Sequence, residues 1–254
     1  MLRFYILIIF SIPLITYYIL TAEYICKHEE KYDMDERYKF ARRIIKSVQV
    51  RGRIKTICMG EEKLPEDGGY IMYANHQGRY DALGIIASHD KPCSVVMDAE
   101  RSRVLLADQV VKLLKGKRLE RYDMKQQVKE LQSLIKEAKE GRKFVYFPEG
   151  KYEHNGNKLQ EFRPGAFNCA KSAKVPIVPV AIYDSHIPFD FNSYRKVTTQ
   201  VCFMEPIYYE DYADLSTKEI SEMVKNLIEE KMAFLEENRA RQGFNSKFKI
   251  YSNS

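Results

Sequence analysis

Two hydrophobic periodicities alternate along the chain. Short apolar runs rich in β-branched and aromatic residues fall at 53–59, 70–74, 93–97, 144–147, 178–183 and 198–204, each bounded by Gly, Pro or polar residues. They predict strands. Between them the apolar positions recur every three to four residues: over 103–114, at Val128, Leu131, Leu134, Ile135 and Ala138, over 166–172, and at Ile220, Met223, Val224, Leu227, Ile228 and Met232. That spacing predicts helices. Asp123 with Gln126 and Ser216 with Glu219 are helix-start signals, while Gly116 and Gly141 stop helices. Strand and helix in alternation give an α/β fold. Pro176 and Pro179 flank Ile177-Val178, which fits a central strand only if the prolines lie at its entry or at an edge.

Residues 2–20 are apolar apart from Arg3, Ser11 and Thr16. The run matches the ~20 residues that cross hydrocarbon, so it predicts a membrane anchor helix. Pro13 allows it to bend within one leaflet instead. A bulky Tyr17–Glu23 stretch lacks the small residues of a signal-peptide cleavage site. Lys27, Lys31, Arg37, Lys39, Arg42, Arg43 and Lys46 follow the run, against Arg3 alone before it. This asymmetry puts the body of the protein on the cytoplasmic face of a membrane. Over 34–48, Tyr38, Ala41, Ile44, Ile45 and Val48 share one helix face, a pattern of either an interfacial helix or an ordinary surface helix.

A composition of 45% hydrophobic and 30% charged residues is that of a globular protein, and the net charge of +6 is spread among acidic neighbours. No nucleic-acid partner is expected, whereas anionic lipid is compatible. Five widely spaced cysteines form no C-x-x-C pair, and the histidines other than His76 show no ligand spacing. Reduced thiols and no metal follow.

The stretch Asn75-His76-Gln77-Gly78-Arg79-Tyr80-Asp81 joins a predicted strand to a predicted helix, so His76 belongs at a strand's carboxyl end. Asp81 can cap the helix or accept a hydrogen bond from the imidazole. A carboxylate-held imidazole removes a proton from a hydroxyl, because the anion fixes the tautomer and stabilises the imidazolium. On spacing alone, a capping Asp beside a loop His is the commoner arrangement. A second polar break, Pro148-Glu149-Gly150, follows the strand at 144–147, and open α/β sheets bind ligands at such carboxyl ends.

Four blocks stand in order: Asn75-His76 to Asp81 (N-H-x4-D), Arg121 closing a basic stretch, Phe147-Pro148-Glu149-Gly150, and Val175-Pro176-Ile177-Val178-Pro179. Together they resemble the glycerolipid acyltransferases, specifically the 1-acyl-glycerol-3-phosphate (lysophosphatidate) acyltransferase family, over roughly residues 50 to 208. The resemblance implies a mixed, largely parallel central sheet with flanking helices and a membrane-associated amino-terminal segment. It implies an acyl thioester co-substrate, acyl-CoA or acyl carrier protein, with no other cofactor. His76 would deprotonate the glycerol hydroxyl of a lysophospholipid acceptor, with Asp81 orienting the ring. Asn75 and Gly150 would shape the acceptor site, Glu149 would shape it or support its loop, and Arg79, Arg121 and Arg163 would meet its phosphate.

Three departures bear on the acceptor. The family commonly reads E-G-T-R-S where this chain has Glu149-Gly150-Lys151-Tyr152-Glu153, so an arginine that usually contacts phosphate is absent unless Lys151 replaces its charge. The stretch from Gly116 to Arg121 is one residue shorter and more basic than G-x-I-F-I-D-R. Asp98 stands near a frequent lysine. The expected product is phosphatidate; acylation of another lysophospholipid or of glycerol 3-phosphate, hydrolysis of the thioester, and a non-catalytic scaffold are the alternatives. The expected organisation is an anchor at 1–22, an amphipathic membrane-proximal segment at 23–50, an acyltransferase domain at 51–210, and a carboxy-terminal helix and basic tail at 211–254.

Overall fold

The computed structural model describes residues 11–104 and 106–242. Seven strands form one sheet: β1 (Ile54–Met59), β2 (Tyr70–Ala74), β3 (Cys93–Asp98), β4 (Lys117–Leu119), β5 (Lys143–Tyr146), β6 (Ile177–Tyr183) and β7 (Val197–Phe203). Their spatial order is β1-β7-β6-β2-β5-β3-β4. The β6–β7 pair is antiparallel and every other pair is parallel. The sheet is therefore mixed and largely parallel, and β2, β3, β4, β5 and β6 all end on one rim.

The helices are α1 (Ile12–Lys27), α2 (Met34–Gly52), α3 (Asp81–Ser88), α4 (Ala99–Ser102), α5 (Ala107–Leu113), α6 (Met124–Lys139), α7 (Asn168–Ala173), α8 (Ile187–Asp190), α9 (Tyr209–Tyr212) and α10 (Thr217–Gln242). They cover both faces of the sheet. Tyr70, Met72 and Ala74 of β2 pack toward α1, α2, α3 and α5, while Ile71 and Tyr73 pack toward α6, α7 and α10. This is the two-residue alternation of a strand buried on both sides, which explains the unbroken apolar run.

Pro179 lies inside a central strand, not at an edge. The β7 ladder begins only at Val180, opposite Phe203, and the Pro179 carbonyl accepts from Met204 N at 3.0 Å. The missing N–H thus falls just past the end of the ladder. The helix expected over 103–114 is shorter, α5 starting only at Ala107 after Leu106 takes a φ of 66°, and α4 lies ahead of the expected stretch.

The membrane segment expected over 2–20 lies partly on residues 1–10, outside the described residues. From Ile12 onward α1 runs unbroken past residue 22 to Lys27, and it buries Tyr18, Ala22 and Ile25 in the protein's own core. Among the described residues no helix is long and apolar enough to cross a membrane. The apolar face of α2 is likewise spent on protein: Tyr38, Ala41, Ile44 and Ile45 are all buried. It is an ordinary packing face and does not lie in lipid. Arg37, on the same helix, is buried and donates to the carbonyls of Leu113 and Lys112, each at 2.9 Å, which ties α2 to the end of α5.

Helix α10 starts at a capping box, with Ser216 N donating to Glu219 Oε2 at 2.7 Å and Glu219 N to Ser216 Oγ at 3.3 Å. Ile220, Val224, Ile228 and Met232 then line its buried face. Truncating Ile228 to Ala leaves a cavity, and the expected loss is about 3 kcal/mol in urea unfolding; Val128→Ala, on the exposed side of α6, should cost less than about 0.5 kcal/mol.

Candidate functional site

Strand β2 delivers its last residues to the rim between β5 and β6. Asn75 follows the strand and is buried, its Nδ2 donating to Ile182 O at 3.0 Å and its Oδ1 accepting from Ile182 N at 2.8 Å. The amide thereby extends the β2–β6 pairing through a side chain. Both amide atoms are engaged by the Ile182 backbone, so Asn75, expected among the acceptor-binding groups, fixes the direction in which the next residue leaves the sheet.

That next residue is His76. Its Nδ1 lies 2.7 Å from Asp81 Oδ2, and the same oxygen accepts from Gln77 N at 2.6 Å and Gly78 N at 2.8 Å. A carboxylate accepts, so Nδ1 carries a hydrogen here, which in the neutral ring leaves the lone pair on Nε2. Asp81 is buried at the first turn of α3, whereas the imidazole side chain is 18% exposed. Gly78 allows this turn to close, because a Cβ there would lie 3.1 Å from the Cα of His186.

Phe147 stacks on the imidazole at a ring-centroid distance of 4.5 Å, and Tyr152 meets it edge-on at 4.9 Å. The base is thus walled by two aromatic rings from the segment after β5. Arg101 of α4 in turn lies over the Tyr152 ring at 4.8 Å.

Glu149 binds the two loops together. Its Oε1 accepts from His76 N at 3.0 Å and its Oε2 from Gln160 Nε2 at 2.6 Å. Burial pushes its carboxyl up to about 7, against the opposing pull of those N–H donors. A second latch runs from Gln77, whose Nε2 donates to Asn157 Oδ1 at 2.8 Å and whose Oε1 accepts from Ser185 N at 2.9 Å. Asn157 Nδ2 then donates to Asp184 Oδ1 at 3.0 Å. Three loops from three neighbouring strands are therefore cross-linked by side-chain amides.

The expected cations are spread along the rim. Arg79, in the His76 turn, is exposed, and Arg163 is exposed with its guanidinium against Gly150. Gly150 has a φ of 74°, and a Cβ there would come within 2.8 Å of the Arg163 Cζ. Arg121 is exposed beyond the end of β4, three strand spacings or roughly 14 Å from β2. Lys151 is paired with Glu153.

Sequence reasoning missed Gln77, Asn157, Gln160 and Arg101. The amides pair across 11 to 108 residues, a separation with no local signature. Arg101 did have one: Asp98 accepts from Arg101 N at 3.0 Å, an acidic helix cap three residues ahead.

A carboxylate-held imidazole at the carboxyl rim of a largely parallel sheet defines an α/β enzyme of the hydroxyl-activating kind. The family model that matches, over residues 55–183, is that of the acyltransferases, and the chain belongs to this family. The chain is 24% identical over 190 residues to the 1-acyl-sn-glycerol-3-phosphate acyltransferase of Salmonella typhimurium, covering 74% of this chain and 77% of that protein. It is 28% identical over 171 residues to human 1-acyl-sn-glycerol-3-phosphate acyltransferase alpha, covering 66% and 59%. For several curated relatives, the human one included, the match spans less than two thirds of their length. The crystal structure of the 1-acyl-sn-glycerophosphate (LPA) acyltransferase PlsC from Thermotoga maritima shares the fold, with a TM-score of 0.74 at 19% identity over 92% of this chain and 95% of that one.

The Glu149 carboxyl makes stability depend on pH. Its folded value of about 7 exceeds the ordinary 4.5, so between those pH values the folded protein holds a proton that the unfolded chain has lost. Stability then falls as pH rises through that window, by about 3 kcal/mol in all, and levels off above it. Urea unfolding of wild type and Glu149→Gln at pH 5 and pH 8 checks this: the fall should disappear in the variant, and an identical fall in both would assign it to another group.

Proposed function

We propose that the protein transfers a fatty acyl group from an acyl thioester, acyl-CoA or acyl carrier protein, to the free hydroxyl of 1-acyl-glycerol-3-phosphate, making phosphatidate for phospholipid synthesis. The observation that carries this reading is the His76–Asp81 pair on the rim of the sheet in a chain of the acyltransferase family. The named relatives supply the acceptor.

His76 Nε2 takes the proton of the acceptor hydroxyl as its oxygen attacks the thioester carbonyl. Asp81 holds the imidazolium that forms. Collapse of the tetrahedral intermediate breaks the carbon–sulfur bond, and the thiolate leaves with the proton from Nε2. No acyl-enzyme forms, and the imidazole ends as it began. Glu149 and Asn75 act by positioning the two loops.

The same reading places the enzyme at a membrane, on the cytoplasmic face, where its free cysteines remain reduced. Ile12, Tyr17, Leu20 and Tyr24 of α1 are about half exposed or more, and Arg43, Lys46 and Arg51 border a concavity beside Leu14 and Val50. Apolar and basic groups side by side suit an anionic bilayer surface.

Labelled acyl thioester and lysophosphatidate test the chemistry. Wild type should yield labelled phosphatidate, and His76→Ala should lower the rate about a thousandfold with the fold intact by circular dichroism. Release of free fatty acid alone would make the protein a thioesterase instead. Vesicle sedimentation tests the membrane contact: binding to phosphatidylglycerol vesicles should weaken about tenfold in Leu20→Glu and at high salt, and unchanged binding in both would remove α1 from the contact.

A further inference from the structure

We infer that Arg101, seated on the Tyr152 ring, is the cation that receives the phosphomonoester of the acceptor and so sets head-group specificity. This rests on the acceptor reading above and deepens it.

The loop after β5 carries its own lysine, but Lys151 is paired with Glu153. Arg118 is paired with Asp108, and Arg103 with Glu120. Arg101 pairs with no carboxylate among the described residues, and its guanidinium lies on the face of Tyr152. That leaves the fork of the guanidinium available while its plane is held by the ring.

The position fits the reaction. Tyr152 touches His76 at 4.9 Å and Arg101 at 4.8 Å, which caps the separation of guanidinium and imidazole at about 10 Å. In the acceptor, phosphorus and the attacking oxygen are joined by four bonds, roughly 5 Å at ordinary bond lengths. One hydrogen bond at each end, about 3 Å apiece, closes the remainder. A phosphate on Arg101 therefore leaves the hydroxyl at the base.

The placement is built and not incidental. Asp98 at the end of β3 caps α4 by accepting from Arg101 N at 3.0 Å. The acidic residue that stands near a frequent lysine thus orients an arginine one turn further on. Tyr152, which occupies the loop position of the usual arginine, supplies the platform. The charge has moved from the loop to α4.

Steady-state kinetics with separately varied substrates test this. Arg101 is exposed, so Arg101→Ala should fold. It should raise the KM for lysophosphatidate about tenfold to hundredfold, with kcat changed only a few-fold and the KM for acyl-CoA unchanged. Arg101→Lys should fall between, since it keeps the charge but loses the stacked fork. In a Tyr152→Leu background, Arg101→Ala should raise that KM far less than in wild type. Equal KM in wild type and Arg101→Ala would overturn the inference and leave the acyltransferase reading standing. A rise confined to acyl-CoA would also overturn it, assigning Arg101 to the donor's phosphates. A wild type that does not acylate lysophosphatidate overturns both.

Discussion

A single carboxylate oxygen sets the geometry on which the site depends. Asp81 Oδ2 draws in Gln77 N, Gly78 N and His76 Nδ1 within 2.8 Å. Its companion Oδ1 is buried with no hydrogen-bond partner among the described residues. A bare buried acceptor costs about 1–3 kcal/mol, and three charge-assisted bonds on the other oxygen offset it. The turn between β2 and α3 is wound around that oxygen, so the imidazole's tautomer and the turn's backbone are fixed by one interaction. Any change that moved Asp81 would release the ring and the chain that carries it together.

The sheet explains why three loops can meet there. Because β5 and β6 both run parallel to β2 as its two neighbours, the segments that follow all three strands leave on the same side. Glu149 from the β5 loop holds His76 N, and Ile182 and Ser185 from the β6 side hold Asn75 and Gln77. Each latch uses a backbone group that would otherwise end a strand unpaired. Rigidity of the base therefore comes from sheet edges closed by side chains. The cost appears at Glu149, whose burial raises its carboxyl to about 7.

The sequence reveals those parts of this arrangement whose signals are local. Strands buried on both faces read as unbroken apolar runs, and the Ser216–Glu219 box and the Asp123 cap announce their helices three residues ahead. Periodicity names a face but not its partner. The stripe of α2 is the same whether Ile44 and Ile45 meet lipid or, as they do, the sheet. The apolar segment before Lys27 has the composition of an anchor, yet Tyr18 and Ala22 pack on protein. Three-residue β4 and the left-handed Leu106 carry too little pattern to register. The amide latches join residues far apart in the chain, and only the folded topology makes them neighbours.

A histidine base held by a carboxylate serves water as readily as an alcohol, so the dyad by itself does not separate transfer from hydrolysis. Its surroundings bear on that choice. Phe147 covers one face of the imidazole and Tyr152 its flank, and the ring keeps only a small exposed part. A water held at such an opening has few polar neighbours to complete its hydrogen bonds. A glycerol backbone anchored by a phosphate several ångström away arrives with its hydroxyl already oriented, an advantage that free water lacks. On the acceptor reading proposed above, the aromatic wall and the Arg101 cation act on the same choice: one makes the base a poor site for solvent, and the other makes it a good site for a tethered alcohol.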